Sequence, residues 1–371
     1  MKQLARELLE TRVASAVVAG AAVWQGGRWF GEVGAAGRLA WGAREREVTA
    51  RTWFDLASLT KPVTALAAAR LARARKLDLE APIVGLLPEL AGTASEKASI
   101  ELLLAHRAGL EPHRPLFAPL VFGKLVDRRT ALVEAASARR PDATGPIPPR
   151  GFEALYSDLG YLLVGEAVAR AAGAPLDRAL EDEVLAPLGA AIGSARRVRA
   201  RDAGFSASVA ATEFVPWRGG MVRGFVHDEN AWALSGEGAS GHAGLFGTAL
   251  GVLRFGRAIV DALHRRASDF LTREQMDPLV RPRPPGTLRA GFDGKSEKGS
   301  LAGSAFGPST IGHLGFTGTS FWCDVDAQIV GVVLTNRVHP TRDNQAHRRA
   351  WPRAYDRIAE WAEKGTGSEL W

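Results

Sequence analysis

Strand signals gather at the two ends of this chain and helical signals fill its middle, and that distribution limits the fold more than any single motif. Residues 13–24 are an apolar, Ala/Val-rich run and 28–34 a second extended stretch, with Gln25-Gly26-Gly27 between them as a hairpin turn. Extended patterns return at 311–316, 320–325 and 329–335. Between them, helical spacing covers 63–71, 100–105, 130–138, 162–171, 178–185 and 245–264. Two more helices are expected at 1–12 and 351–363, and proline-rich loops at 141–149 and 278–285. Runs of strands separated from runs of helices, without β-α alternation, point to an α+β fold. Its simplest form is one sheet drawn from both ends of the chain, with a helical region inserted between.

Composition narrows the function classes. An apolar share of 46% with 23% charged residues is that of a globular protein with a large core. The net charge of +7 comes from arginine spread along the chain, with clusters at 196–201 and 348–353. No zinc-finger spacing or glycine-aromatic RNA motif accompanies it, so a solvated surface, not a nucleic-acid partner, is expected. The single cysteine, Cys323, excludes an internal disulfide and reads as a small buried strand residue. The eight histidines show no His-x-x-x-His pairing, so neither a metal nor another cofactor is expected. No apolar run is long enough to span a membrane, and Glu7 and Glu10 beside the first apolar run argue against a signal segment. A cytoplasmic location is the resulting expectation.

One short stretch carries chemistry. In Phe54-Asp55-Leu56-Ala57-Ser58-Leu59-Thr60-Lys61-Pro62, Ser58 stands three residues before Lys61, so a helix would put both on one face. No other serine in the chain has a lysine at that spacing. A serine hydroxyl needs a base to become a nucleophile, and lysine can serve where arginine cannot. The same four residues also suit an ordinary helix start with a solvated lysine. Lysine normally titrates near 10.4, and lowering that by about three units costs on the order of 4 kcal/mol, so a second base is a natural companion. Tyr156, which follows a proline-rich loop and precedes a helix, can supply a phenolate stabilised by Lys61, or else a buried core hydroxyl. The glycines of Gly312-His313-Leu314-Gly315-Phe316-Thr317-Gly318-Thr319-Ser320 allow a substrate to approach a strand edge, or simply a tight bend.

Taken in order, these blocks resemble the β-lactamase-related serine hydrolases, the group of class C β-lactamases, esterases and D-amino-acid peptidases. Leu103 to Leu110, Tyr156-Ser157-Asp158, Val226 to Ala231, Gly241 to Phe246 and Gly315 to Ser320 extend the likeness over nearly the full chain. The resemblance implies an antiparallel sheet flanked by helices beside an all-helical subdomain, with the site in the cleft between. The chain would then be one catalytic unit over 1–371, its α/β part from 1–60 and 300–371 and its helical part from 61–299. Ser58 would be the acylated nucleophile, Lys61 its base or proton shuttle, and Tyr156 the second base and acid. The amides of Ser58 and Phe316 would form the oxyanion hole.

Two positions depart from the lactamases of this class. Asp158 stands where they have asparagine; as a carboxylate it would orient Lys61 and raise its pKa, moving base duty to Tyr156. His313 stands where they have lysine. Partly charged near neutrality, it would anchor a substrate carboxylate more weakly, beside Gly315. Both favour an esterase or amidase acting on less acidic small esters, amides or peptides over an efficient β-lactamase. A β-lactamase or D-alanyl peptidase, and a non-catalytic acylated sensor, are the alternatives. A Ser-His-Asp hydrolase is set aside because no serine completes a Gly-x-Ser-x-Gly elbow. His106, His227 and His242 are expected to order loops through bonds to backbone. Loops 112–126, 215–225 and 281–299 are expected to shape the pocket, with Trp217, Trp232 and Phe292 as its apolar lining or as core.

Overall fold

The structure is a computed structural model and describes residues 1–371 except 267, 269 and 366. Its centre is a seven-stranded antiparallel sheet from both ends of the chain. The strands are β1 (Ala16–Gln25), β2 (Arg28–Gly37), β3 (Asp293–Gly294), β4 (Ile311–Gly315), β5 (Thr319–Asp324), β6 (Ile329–Thr335) and β7 (Ser368–Glu369). They lie in the order β7-β2-β1-β6-β5-β4-β3. The expected hairpin forms with Gln25 opposite Arg28, and Gly26 and Gly27 both take positive φ, as a two-residue turn requires.

Strand β1 explains the layering. It is buried for most of its length because both faces are covered. Alternation sends Ala16, Val18 and Ala22 to one face, where they share a core with Val252, Phe255 and Ile259 of the helix Ala249–Leu263. Val17, Ala19, Ala21 and Val23 go to the other, against the N-terminal helix Lys2–Glu10 and the C-terminal helix His347–Lys364. We number these helices α1 (Lys2–Glu10), α2 (Thr60–Arg73), α3 (Asp158–Ala172), α4 (Ala249–Leu263) and α5 (His347–Lys364). Helices α2 and α3 pack together in the helical half, whose core includes Leu66, Leu103, Leu159 and Leu163. Helix α4 comes from the 61–299 stretch yet packs on the sheet. Among the described residues, no helix is long and apolar enough to cross a membrane.

Several boundaries differ from expectation. The helix expected from 245 starts at Ala249, because Thr248 caps it, its hydroxyl accepting from the Gly251 amide at 3.2 Å. Leu245–Gly247 is instead a strand between Phe54–Asp55 and Ile192–Ser194. Helix α3 starts at Asp158, four residues early, capped by Ser157. Helix α5 also starts early, at His347; its Pro352 is an interior position that periodicity reads as a boundary.

Glycines set one critical spacing. Helix α3 at Gly165 touches the Gly241 backbone: a Cβ on Gly241 would overlap the Tyr161 carbonyl oxygen and lie 2.8 Å from the Gly165 nitrogen. We expect Gly241→Ala to cost about 1–3 kcal/mol, as overpacking does in a tight interior. Urea unfolding would measure it, and an unchanged midpoint would show that the two backbones separate freely.

Candidate active site

The serine-lysine segment forms where a strand ends against a sharp turn. After Phe54–Asp55 the chain enters a 3₁₀ turn, Ala57–Leu59, and then α2, so Ser58 lies at a helix start. Ala57 is at φ +47°, a conformation costing a non-glycine residue about 1–3 kcal/mol that must be held from outside. The buried Asp55 carboxylate holds it, accepting from the amides of Ala57 at 2.8 Å and His227 at 2.7 Å. Two threonines then tie the turn to the sheet: Thr317 donates to the Asp55 carbonyl at 2.7 Å and Thr319 to the Leu56 carbonyl at 3.0 Å. Gly315 lets the strand come this close, since a Cβ there would sit 2.6 Å from the Leu56 carbonyl oxygen. The turn bearing Ser58 and the β4–β5 turn bearing Phe316 are thus fixed together.

Lys61 is fully buried, and its ammonium reaches three acceptors. It donates to Ser58 Oγ at 2.8 Å, to Asp158 Oδ1 at 2.7 Å and to the His242 carbonyl at 3.3 Å. Burial favours the neutral amine, but the charge and hydrogen bond of Asp158, with Tyr156, outweigh it and leave the pKa above its ordinary value. The group is therefore an ammonium at neutral pH. Its Nζ lies 4.8 Å from the centre of the Tyr156 ring, which is stacked on His106 at 4.6 Å. Burial raises the Tyr156 pKa, and Lys61 and Ser58 only partly offset it, so the phenol is also protonated at rest. Asp158 is the first residue of α3, where the helix dipole favours a carboxylate.

Ser58, Tyr156, Asp158, His313, Gly315 and Phe316 all line one cleft of about 550 Å³. His313 differs from expectation. It is buried, and burial, then the Lys61 charge, push its pKa down to about 3, so it is neutral and offers no charge to a carboxylate. Its Nδ1 bonds the Leu314 carbonyl at 2.8 Å. Phe316 is 47% exposed at the mouth, stacked on His227 at 5.7 Å. Of the other histidines, only His106 behaves as expected, its Nδ1 accepting from the Ser157 amide at 3.0 Å. His242 pairs with side chains instead, Asp228 at 2.9 Å and Ser240 at 3.1 Å. Both His227 ring nitrogens are buried without a hydrogen-bond partner.

Loops 112–126 and 281–299 reach the cleft through His113, Leu288 and Asp293, but 215–225 does not. Trp217 stacks on Phe117 and meets Trp232 edge to face, and Phe292 is core, so none of the three expected lining aromatics lines it. Asp55, Thr317, Thr319 and Asp228 were missed as site residues, although each lies within or beside a block already marked in the sequence. Cys323 is buried in β5, and among the described residues no group of His, Cys, Asp and Glu is arranged to hold a metal.

Asp55 gives a signed pH test. Burial raises its pKa to about 6, with the His227 and Ala57 amides opposing. Above the ordinary carboxylate value near 3.9, the folded state holds this proton more tightly than the unfolded one, so the group's contribution falls as pH rises through about 6. Asp55→Asn loses an acceptor but carries no charge. Its stability deficit against wild type should narrow between about pH 4 and pH 7, measured as urea midpoints; a constant deficit would show that Asp55 is ionised throughout.

Known proteins share this arrangement of sequence and fold. The chain is 28% identical over 319 residues to the N-acetylmuramyl-L-alanine amidase of Bacillus subtilis (strain 168), covering 80% of this chain and 70% of that one. The solved Beta-Lactamase/D-Alanine Carboxypeptidase from Pseudomonas syringae superposes with a TM-score of 0.72 at 18% identity, covering 97% of each chain. EstCE1, a hydrolase with promiscuous acyltransferase activity, superposes at 0.67 and 20% identity over 94% of this chain and 97% of its own. These structures share the fold, an α+β arrangement with an antiparallel sheet. The family model described as Beta-lactamase matches residues 1–355, and the chain belongs to that family of serine hydrolases.

Proposed function

We propose that this enzyme cleaves ester and amide bonds through an acyl-enzyme on Ser58, with Lys61 and Tyr156 handling the protons. The observation that carries the reading is the 2.8 Å contact of Lys61 Nζ with Ser58 Oγ beneath the Tyr156 ring, inside the cleft. Lys61 and Tyr156 are both protonated at rest, so the reactive form is the minor one in which Tyr156 is a phenolate beside the Lys61 ammonium. The phenolate takes the Ser58 proton as Oγ bonds to the carbonyl carbon. The carbonyl oxygen becomes an oxyanion held by the amides of Ser58 and Phe316. The Tyr156 phenol then returns the proton to the leaving oxygen or nitrogen as its bond to carbon breaks. Water repeats the steps and frees Ser58. Asp158 keeps Lys61 charged, which is why base duty falls on the phenol.

A carboxylesterase-like enzyme remains the first reading. The names of the amidase and carboxypeptidase relatives favour amide or D-alanyl peptide bonds as the second.

Hydrolysis of a short-chain nitrophenyl ester, a chromogenic cephalosporin and a D-alanyl peptide separates these. Ser58→Ala should be silent on every substrate that wild type cleaves; equal ester cleavage by both would remove Ser58 as nucleophile. A stable acyl adduct without turnover would instead make the protein a sensor. Tyr156→Phe should lower kcat roughly 10²–10⁴-fold. Because the Tyr156 pKa is raised, wild-type kcat/KM should climb from neutral into alkaline pH, and the Phe variant should lose that rise. A flat wild-type profile would exclude the phenolate as base.

A further inference from the structure

Strands Ala211–Val215 and Gly220–Arg223 form a two-stranded hairpin apart from the main sheet. Their register sets Phe214 opposite Met221, and the side chains of such a pair share a face. Alternation adds Arg223 to that face and turns Val222, which is buried, to the other. Phe214 is 54% exposed and Met221 44%. Trp41, 49% exposed, is tied in beside them. Its amide donates to His339 Nε2 at 3.0 Å, and the Phe214 amide donates to the carbonyl of the next residue, Pro340, at 2.9 Å. Apolar side chains exposed singly are ordinary, whereas large ones gathered in one place mark a surface that meets something.

The rim of this patch is cationic. Arg223 pairs with Glu45 at 2.6 Å, which pins the loop 42–47 to the hairpin. Both acids of that loop are used, Glu45 by Arg223 and Glu47 by Arg38 at 3.7 Å. Arg44 and Arg46 are exposed and, among the described residues, make no ion pair. A second copy of the chain seated here about a two-fold axis would bring these arginines against their own copies, which repels. An anionic bilayer has no such conflict. Its phosphates attract arginine, and its interface accepts Trp, Phe and other apolar side chains. The net charge of +7 acts in the same direction.

We propose that this hairpin face, with Trp41, is a docking surface for an anionic lipid bilayer. Phe214, Met221 and Trp41 enter the headgroup layer, and Arg44 and Arg46 meet the lipid phosphates. Docking of this kind needs no spanning helix. Glu213 of the same hairpin holds Arg342, which lines the cleft, so the docked face borders the site. None of these docking residues handles the Ser58 proton, and the proposal stands apart from the acyl-enzyme reading.

Flotation with lipid vesicles tests it. Wild type should partition onto vesicles of phosphatidylcholine and phosphatidylglycerol in equal parts about tenfold better than onto phosphatidylcholine alone, and high salt should release it. Arg44→Gln combined with Arg46→Gln should lower that partition about tenfold. Phe214→Ser combined with Met221→Ser should lower it by a similar factor, through lost apolar area. All four side chains are exposed, so the urea midpoints of both variants should match wild type; if one pair is destabilised, the other decides. No flotation with the mixed vesicles, or variants that float as wild type does, would overturn the docking surface. So would a dimer in sedimentation velocity that the Phe214→Ser, Met221→Ser variant dissolves while wild type ignores vesicles, a result that would give the face to a second copy. Ser58→Ala should float like wild type, and its ester hydrolysis bears on the acyl-enzyme alone.

Discussion

The buried ammonium of Lys61 is the constraint around which the site is arranged. Taking an ammonium out of water costs several kcal/mol, recovered only where acceptors meet it with good geometry. Its three acceptors come from three parts of the chain: Ser58 one turn before it, Asp158 at the start of α3, and the His242 carbonyl. Each must be held. Ser58 is not free to drift, because it follows Ala57 in a turn fixed by Asp55; Ser157 caps the helix that begins with Asp158; and the Gly165–Gly241 contact sets the depth of the segment that carries His242.

Charge is divided along the cleft. Lys61 is neutralised by Asp158, and Asp228 is held ionised below the ordinary carboxylate range, burial opposing but His242 prevailing. His313 and His227 are neutral, with pKa values of about 3 and about 4. Arg337 lines the same cleft, buried and, among the described residues, without a carboxylate partner.

Much of this was legible in the sequence, for local reasons. The hairpin at Gly26-Gly27 follows from turn chemistry, and the end strands follow from short apolar runs bounded by turns. Ser58 and Lys61 meet because helical spacing dictates it. Tyr156 and Gly315 stood out by residue type and position, with a core hydroxyl and a tight bend as open alternatives, and the resemblance to known blocks then assigned them to a site. What escaped depends on contacts between distant segments. Leu245–Gly247 has the apolar spacing of the helix it precedes, and only its pairing with Phe54–Asp55 makes it a strand. The charge of His313 is decided by burial, which the residue type does not reveal. Trp217 and Trp232 suited a pocket by type but pack edge to face, with Trp217 stacked on Phe117.

The turn that presents Ser58 is stitched to the sheet by Thr317 and Thr319 and to the 227 segment by Asp55. The amides of Ala57 and His227 both end on one carboxylate inside the protein. Neither can meet solvent unless the β4–β5 turn parts from the helical half. In isotope-exchange terms, the turn of Ser58 belongs with the slow core and not with the surface loops, so this arrangement is lost with the fold as a whole and not by local fraying.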